Sequence, residues 1–342
     1  VRQGERALLA WSAAFFFLVM ASYFILRPIR DQMGVAGGVD NLPWLFTGTL
    51  ITMLLVNPLF SALVSRWPRA RFVAFSYRSL MLCLLGFYLA LAALPETNLT
   101  WVGRVFFIWV SVFNLFAVSL FWAVMADVLR SEQSRRLYGV IAAGGSLGAL
   151  LGGLITANLV AAWGAPALLL VSLVLLELGL QCMFALQRRL QSNVSNESEL
   201  SSPEVIGGNS LDGFRLALKS TYLLGMCGYI FLYTIGSTFL YFLQAQIVAV
   251  TVDGRAAQTA YFANVDMWVN GLTLLLQLFF FFCLMARVGV GLTLAALPLI
   301  SMIGFLGLGL VPILGAVVVF TVARRVSNFA FSRPAREALF VP

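Results

Sequence analysis

Histidine is absent from this chain, and of its 22 basic residues only Lys219 is a lysine. Without imidazole there is no histidine metal site, no histidine general base and no histidine proton relay. The single lysine follows "RLAL" and no glycine run, so a phosphate-cradling P-loop is excluded as well. We read the arginine preference as codon bias rather than chemistry. Charge is scarce: Asp, Glu, Lys and Arg make up 11%, against about 25% in an ordinary soluble domain. The four cysteines, Cys83, Cys182, Cys227 and Cys283, fall in separate apolar segments without C-x-x-C spacing. They are expected to be small buried hydrophobes rather than a metal site or disulfide framework.

What the chain has in quantity is apolar sequence, at 61% hydrophobic residues over 342 positions. The hydrophobic runs reach bilayer length, about 20 residues each. The fold class is therefore expected to be all-α, a polytopic helical membrane protein. The runs are Ala7–Leu26, Leu42–Val64, Phe72–Leu94, Arg104–Met125, Leu137–Ala161 and Ala165–Leu186. After a polar segment come Tyr222–Val250, Ala260–Met285, Gly289–Val311 and Leu314–Phe331.

The basic residues orient these spans. With the N-terminus in the cytoplasm, the inner segments hold Arg2, Arg6, Arg66, Arg69, Arg71, Arg130, Arg135, Arg136, Arg188, Arg189, Arg215, Lys219, Arg287, Arg324, Arg325, Arg333 and Arg336. The outer side holds only Arg27, Arg30, Arg104 and Arg255. That asymmetry is a strong positive-inside pattern for a multi-pass membrane protein. It also accounts for a net charge of +8 without a nucleic-acid partner, because the arginines are spread over loops.

The polar segment 187–220, with "SNVSNESELSSPEVIGGNS", reads as a cytoplasmic linker. It separates an N-terminal six-helix bundle, 1–186, from a C-terminal bundle, 221–342. Two such bundles are the layout of the major facilitator superfamily. On that layout the second bundle is expected to continue past Pro342 with about two further helices. The fourth and tenth spans exit into related strings, "RSEQSRRLYG" (Arg130–Gly139) and "SRPAREALF" (Ser332–Phe340), at corresponding places in the halves.

"GGSLG" (Gly144–Gly148) fits the G-x-S-x-G pattern of serine nucleophiles, but no histidine exists to act as base. Gly144, Gly148 and Gly152 recur every fourth residue, which suits close helix packing. The segment Gly144–Gly153 also resembles the fifth-helix motif of facilitator-type antiporters, with Ala149 where proline is usual. Between the second and third spans, "SALVSRWPRA" (Ser61–Ala70) resembles the superfamily's G-x-x-x-D-R-x-G-R-R gating motif. Arg66 and Arg69 match it; Ser61, Ser65 and Pro68 do not.

Polar residues inside spans are costly in lipid and are read as functional or structural bonds. In the eighth span Asp266, Asn270, Thr273 and Gln277 form a stripe on one face, facing either a cavity or another helix. Asn114 lies mid-way along the fourth span, and Gln244 and Gln246 lie in the seventh. Glu177 and Gln181 share a face of the sixth, where a structural role is expected. At the end of the first span, "SYFILRPIRDQMG" (Ser22–Gly34) gathers Arg27, Pro28, Arg30 and Asp31. If the helix continues, Arg27 and Asp31 can pair four apart, Arg30 is left as the unpaired cation, and Pro28 introduces a kink or break.

Several strings together, "YFILRPIRD", "SLFWAVMAD", "RRLYGVIAAGGSLGALLGG" and "RPAREALFVP", resemble the ATP/ADP-translocase-like family of nucleotide exchangers, and most closely its free-living bacterial relatives. The resemblance implies a major-facilitator fold and alternating-access exchange of a nucleotide through a basic central cavity. Arg27, Arg30 and Asp31 resemble the family's "LR..KD" at the end of the first helix, and Arg336 with Glu337 its "KE" near the tenth. Arginine stands for lysine at both places, which changes the hydrogen-bonding fork. The carboxylates that the exchangers carry in the fourth and seventh helices are missing here.

The expectation is thus a secondary transporter, not an enzyme, acting as a monomer on an anionic small molecule of ATP/ADP type or another organic anion. No cofactor or metal is expected, and membrane lipids are the other partner. The substrate-binding residues would be Arg27, Arg30, Asp31, Asn114, Gln244, Asp266, Asn270 and Arg336. Pro28, Arg66, Arg69, Arg135, Arg136, Gly144, Gly148, Gly152 and Glu337 would gate or support. A facilitator-type carrier of an unrelated solute, such as a drug, peptide or lipid-linked molecule, is the alternative.

Overall fold

The computed structural model describes residues 6–64, 69–129, 131–194, 220–279 and 281–338. The described residues are helical almost throughout. In a membrane this follows from the backbone, since an apolar run without water must satisfy its amides within the segment. The helices are α1 (Arg6–Ala36), α2 (Leu42–Val64), α3 (Arg69–Ala93) and α4 (Glu96–Val128). The next stretch, Ser131–Val194, is broken at Gly164, whose φ of 73° suits a residue without a side chain. We number its arms, 131–163 and 165–194, α5 and α6. Then come α7 (Thr221–Thr251), α8 (Arg255–Phe279), α9 (Phe281–Leu310, broken at Gly289 where φ is 79°), α10 (Leu314–Ser327), a π-turn at Asn328–Ser332, and the short α11 (Arg333–Ala338).

Eight of the described helical stretches are long and apolar enough to cross a membrane, one of them the broken Leu137–Arg189. Their outer faces agree with that reading. Trp44, Leu54, Leu82, Phe231, Leu232 and Leu306 are all more than 60% exposed, on helices with too little polar surface to face water. Hydroxyls on these faces turn back onto their own helix: Thr52 donates to the Gly48 carbonyl at 2.7 Å and Thr234 to that of Ile230 at 2.8 Å. The chain is a multi-pass helical membrane protein.

Some boundaries differ from the hydrophobic runs. α1 does not stop at Leu26 but continues to Ala36, passing through Pro28 without a break. Arg27, Arg30 and Asp31 are therefore helical residues rather than an outer loop. α4 begins at Glu96, before its apolar run, and α6 continues to Val194, so 187–194 are helical rather than linker. Residues 195–219 of that linker lie outside the described residues, as does Arg66. So do the side chains of Arg69, Arg135, Arg136, Glu337 and Cys283, although their backbones belong to described helices. Cys182 is buried, but Cys83 and Cys227 are exposed on outer helix faces, against the expectation of burial. A thiol is apolar enough for a lipid-facing surface.

α1 is the hub. Phe15, Val19, Ile25, Leu26 and Ile29 have no exposed surface, and α3, α4, α5, α6 and α8 lie around or behind them. Phe16 stacks on Phe121 at 4.2 Å between ring centres, and Phe15 meets Phe121 edge-on at 5.1 Å. The hydroxyls of Ser22 and Ser172 bond at 2.7 Å, joining α1 to α6. The glycine ridge of α5 lies directly on the α1 backbone. A Cβ on Gly148 would collide with the Phe17 carbonyl oxygen, one on Gly152 with that of Ala21, and one on Gly144 would stand 2.9 Å from that of Ala13. Close backbone approach of this kind is what small residues permit between membrane helices.

Candidate functional site

Where α1 meets α7, α8 and α10, a cavity of about 290 Å³ opens among side chains of both halves of the chain. That is near the lower end of the usual size for a small-molecule pocket. Six charged residues line it: Arg27, Arg30 and Asp31 from α1, Asp266 from α8, and Arg324 and Arg325 from α10. Asp31, Asp266 and Arg324 are at most 4% exposed.

The first group forms around Asp31. Arg30 Nε and Nη2 both donate to Asp31 Oδ1, at 2.9 and 2.6 Å, and Tyr241 of α7 donates its hydroxyl to the same oxygen at 3.1 Å. Arg30 Nη1 reaches the Ser111 hydroxyl on α4 at 3.4 Å, and its guanidinium lies 5.1 Å from the centre of the Phe107 ring. The second group forms around Asp266. Its Oδ1 receives Arg325 at 2.7 Å and Arg27 at 3.4 Å, while its buried Oδ2 has no hydrogen-bond partner.

The third group has no carboxylate among the described residues. Arg324 donates from Nε to Ser301 at 2.9 Å, from Nη1 to Ser237 at 2.7 Å and from Nη2 to the Tyr233 carbonyl at 2.9 Å. Gly236 makes room for it, since a Cβ there would stand 2.9 Å from Arg324 Nη2. The Tyr233 ring lies under the guanidinium, 4.9 Å away.

The pairing expected within α1 is therefore wrong in its partners. Arg27 does not bond Asp31 but crosses to Asp266, because α8 packs on that side of α1. Arg30 is not the unpaired cation, since its flexible stem lets the guanidinium fold onto its sequence neighbour. Among the described residues lining the cavity, the cation without a carboxylate is Arg324. Arg324 and Arg325, counted above among the inner segments, lie in the last turn of α10 and line the cavity.

Of the predicted binding residues, Arg27, Arg30, Asp31, Gln244 and Asp266 come together at this cavity. Gln244 donates to the Tyr261 hydroxyl at 3.2 Å. Asn114 and Asn270 are not among the lining residues, and the amide nitrogen of Asn270 is buried without a partner. Further along the polar stripe of α8, Gln277 donates to the Phe329 carbonyl in the π-turn at 3.0 Å. Arg336 also lies away from the cavity. It donates to the Ser332 carbonyl and to Asn328 Oδ1, each at 3.3 Å, which ties α11 to the π-turn.

Sequence reasoning missed Arg324, Arg325, Tyr241, Ser111 and Ser237. The signal for the two arginines was present, as "VARRV" lies inside an apolar run. The rule that singles out Asp266 applies to them equally, but the topology count had absorbed them.

A second cavity, about 250 Å³, lies by Gln32, Gly164, Arg255 and Thr259. Among its described lining residues Arg255 is the one charge. No group of three or more His, Cys, Asp or Glu side chains suited to a metal is found among the described residues. The chain matches no model of a known protein family, and no curated protein gives a significant match.

Proposed function

We propose that the protein is a secondary transporter that carries an organic anion, of nucleotide type or smaller, by alternating access. The observation that carries this reading is the cavity itself: four arginines and two aspartates collected where helices from both halves of the chain meet. Ionisable groups inside a bilayer are expensive, and their usual place is a substrate pathway. A passive scaffold has no use for them. The resemblance of "YFILRPIRD" and "RPAREALFVP" to nucleotide exchangers supports the same substrate charge. A major-facilitator layout with the N-terminus in the cytoplasm is part of the same proposal, and in it α1, α7, α8 and α10 would surround the central site. With no P-loop in the sequence, an ion gradient or exchange against a second anion drives the cycle.

The test is uptake by proteoliposomes containing the purified full-length protein, against a panel of labelled nucleotides, sugar phosphates and dicarboxylates. Uptake of at least one anion well above empty liposomes is expected, faster when the lumen is preloaded with the same anion. Protein that is monodisperse and inserted yet moves no anion in the panel would overturn the reading.

A further inference from the structure

We infer that the substrate is a dianion, and that Arg324 anchors its charged end. The inference rests on the transport reading and adds the charge and the anchoring residue.

The charge follows from the pairing. Among the described residues lining the cavity, Arg30 is matched by Asp31, and Arg27 and Arg325 share the single carboxylate of Asp266. Arg324 has only hydroxyls, one backbone carbonyl and a tyrosine ring. One arginine of the shared pair and Arg324 are thus uncompensated, a surplus of two positive charges among largely buried side chains at the cavity. Neutral hydrogen bonds do not offset the desolvation of a buried cation; a counter-charge does. A mobile anion bearing two negative charges supplies it. Guanidinium forks present parallel donors that match phosphate and carboxylate oxygens.

Arg324 is an anchor rather than a structural strut because the neutral bonds it makes leave its charge unanswered. A strut's replacement would lower stability and affect all ligands alike. An anchor's replacement changes the preference for charge.

The experiment uses full-length protein and two pairs of probes that share a body and differ in charge: phthalate with benzoate, and AMP with cyclic AMP. Binding is read by thermal shift in detergent and by inhibition of uptake in proteoliposomes. At least one dianion is expected to bind about tenfold more tightly than its monoanionic partner, the scale of one charge-assisted contact. Arg324→Gln should bring that ratio below about twofold, and Arg324→Lys, which keeps the charge but loses the fork, should leave it between that of Arg324→Gln and that of the unaltered protein. Asp266→Asn adds one more uncompensated charge and should tighten dianion binding, which keeps the inference testable if Arg324→Gln fails to fold. Equal binding within both pairs, or an undiminished ratio in Arg324→Gln, would overturn it. So would weaker dianion binding in Asp266→Asn. Failure of both dianions to bind also overturns it, whereas uptake of any other anion in the panel leaves the transport reading intact.

Discussion

At Asp266 one oxygen serves two arginines while the other has no partner. Deleting this carboxylate leaves Arg27 and Arg325 facing each other in a closed space, so Asp266→Ala should lower stability by about 3–5 kcal/mol, the usual cost of orphaning a buried ion pair. Arg27→Gln should cost much less, because the shorter 2.7 Å contact from Arg325 still answers Asp266. Chemical or thermal unfolding in detergent checks the order; equal losses in the two variants would show that the pairing is not shared as described. Sequence alone found Asp266 and Arg27 but not their bond. Spacing along a chain names neighbours on one helix, whereas these residues meet only because α8 packs against α1. Arg30 and Asp31 illustrate the converse, since adjacent residues do not ordinarily face each other on a helix, yet the arginine stem is long enough to bring its donors back.

Helices were the most legible level, because in lipid a long apolar run has few alternatives to a helix. Their ends were less so. Hydropathy stops at the first charge, but backbone hydrogen bonding does not, and α1 gains the turns carrying Pro28, Arg30 and Asp31 in this way. The glycine ridge was readable from its fourfold spacing, although its partner was not. Gly148 now offers a sharp contrast with Gly139 on the same helix, around which a Cβ would find open space. Gly148→Val drives a side chain into the α1 backbone and should destabilise by about 2 kcal/mol or more, in the range of overpacked cores. Gly139→Ala should stabilise by up to about 1 kcal/mol through helix propensity. Melting temperatures of the two variants in the same detergent decide the matter, and a neutral Gly148→Val would mean that α1 and α5 can separate freely.

Across the whole molecule, the two halves meet where α1 and the long α5–α6 stretch pack on α8, and their specific links include Arg27 to Asp266, Asp31 to Tyr241, Phe46 to Tyr241, and the approach of α5 to α8 at Gly153. An ideal Cβ on Gly153 lies 3.5 Å from that of Met267, within the usual separation for a disulfide. In a background with the native cysteines replaced by alanine, Gly153→Cys with Met267→Cys should cross-link on oxidation, stop uptake, and recover with reductant. Full uptake by the cross-linked protein would show that α5 and α8 do not part during the cycle. Such links between halves could not be read from the sequence, which gave two apolar blocks and a polar segment but no pairing between them.

The imbalance of four arginines over two aspartates at one cavity also has an electrical meaning. Moving one elementary charge through a membrane potential of 100 mV changes its energy by about 2.3 kcal/mol. On the proposed alternating-access reading, reorientation of an empty cavity with two surplus charges would sense the voltage, whereas reorientation of a cavity neutralised by a dianion would not. The potential would then bias the empty step in one direction and leave the loaded steps unaffected, so a voltage-dependent empty return is the electrical signature of this site.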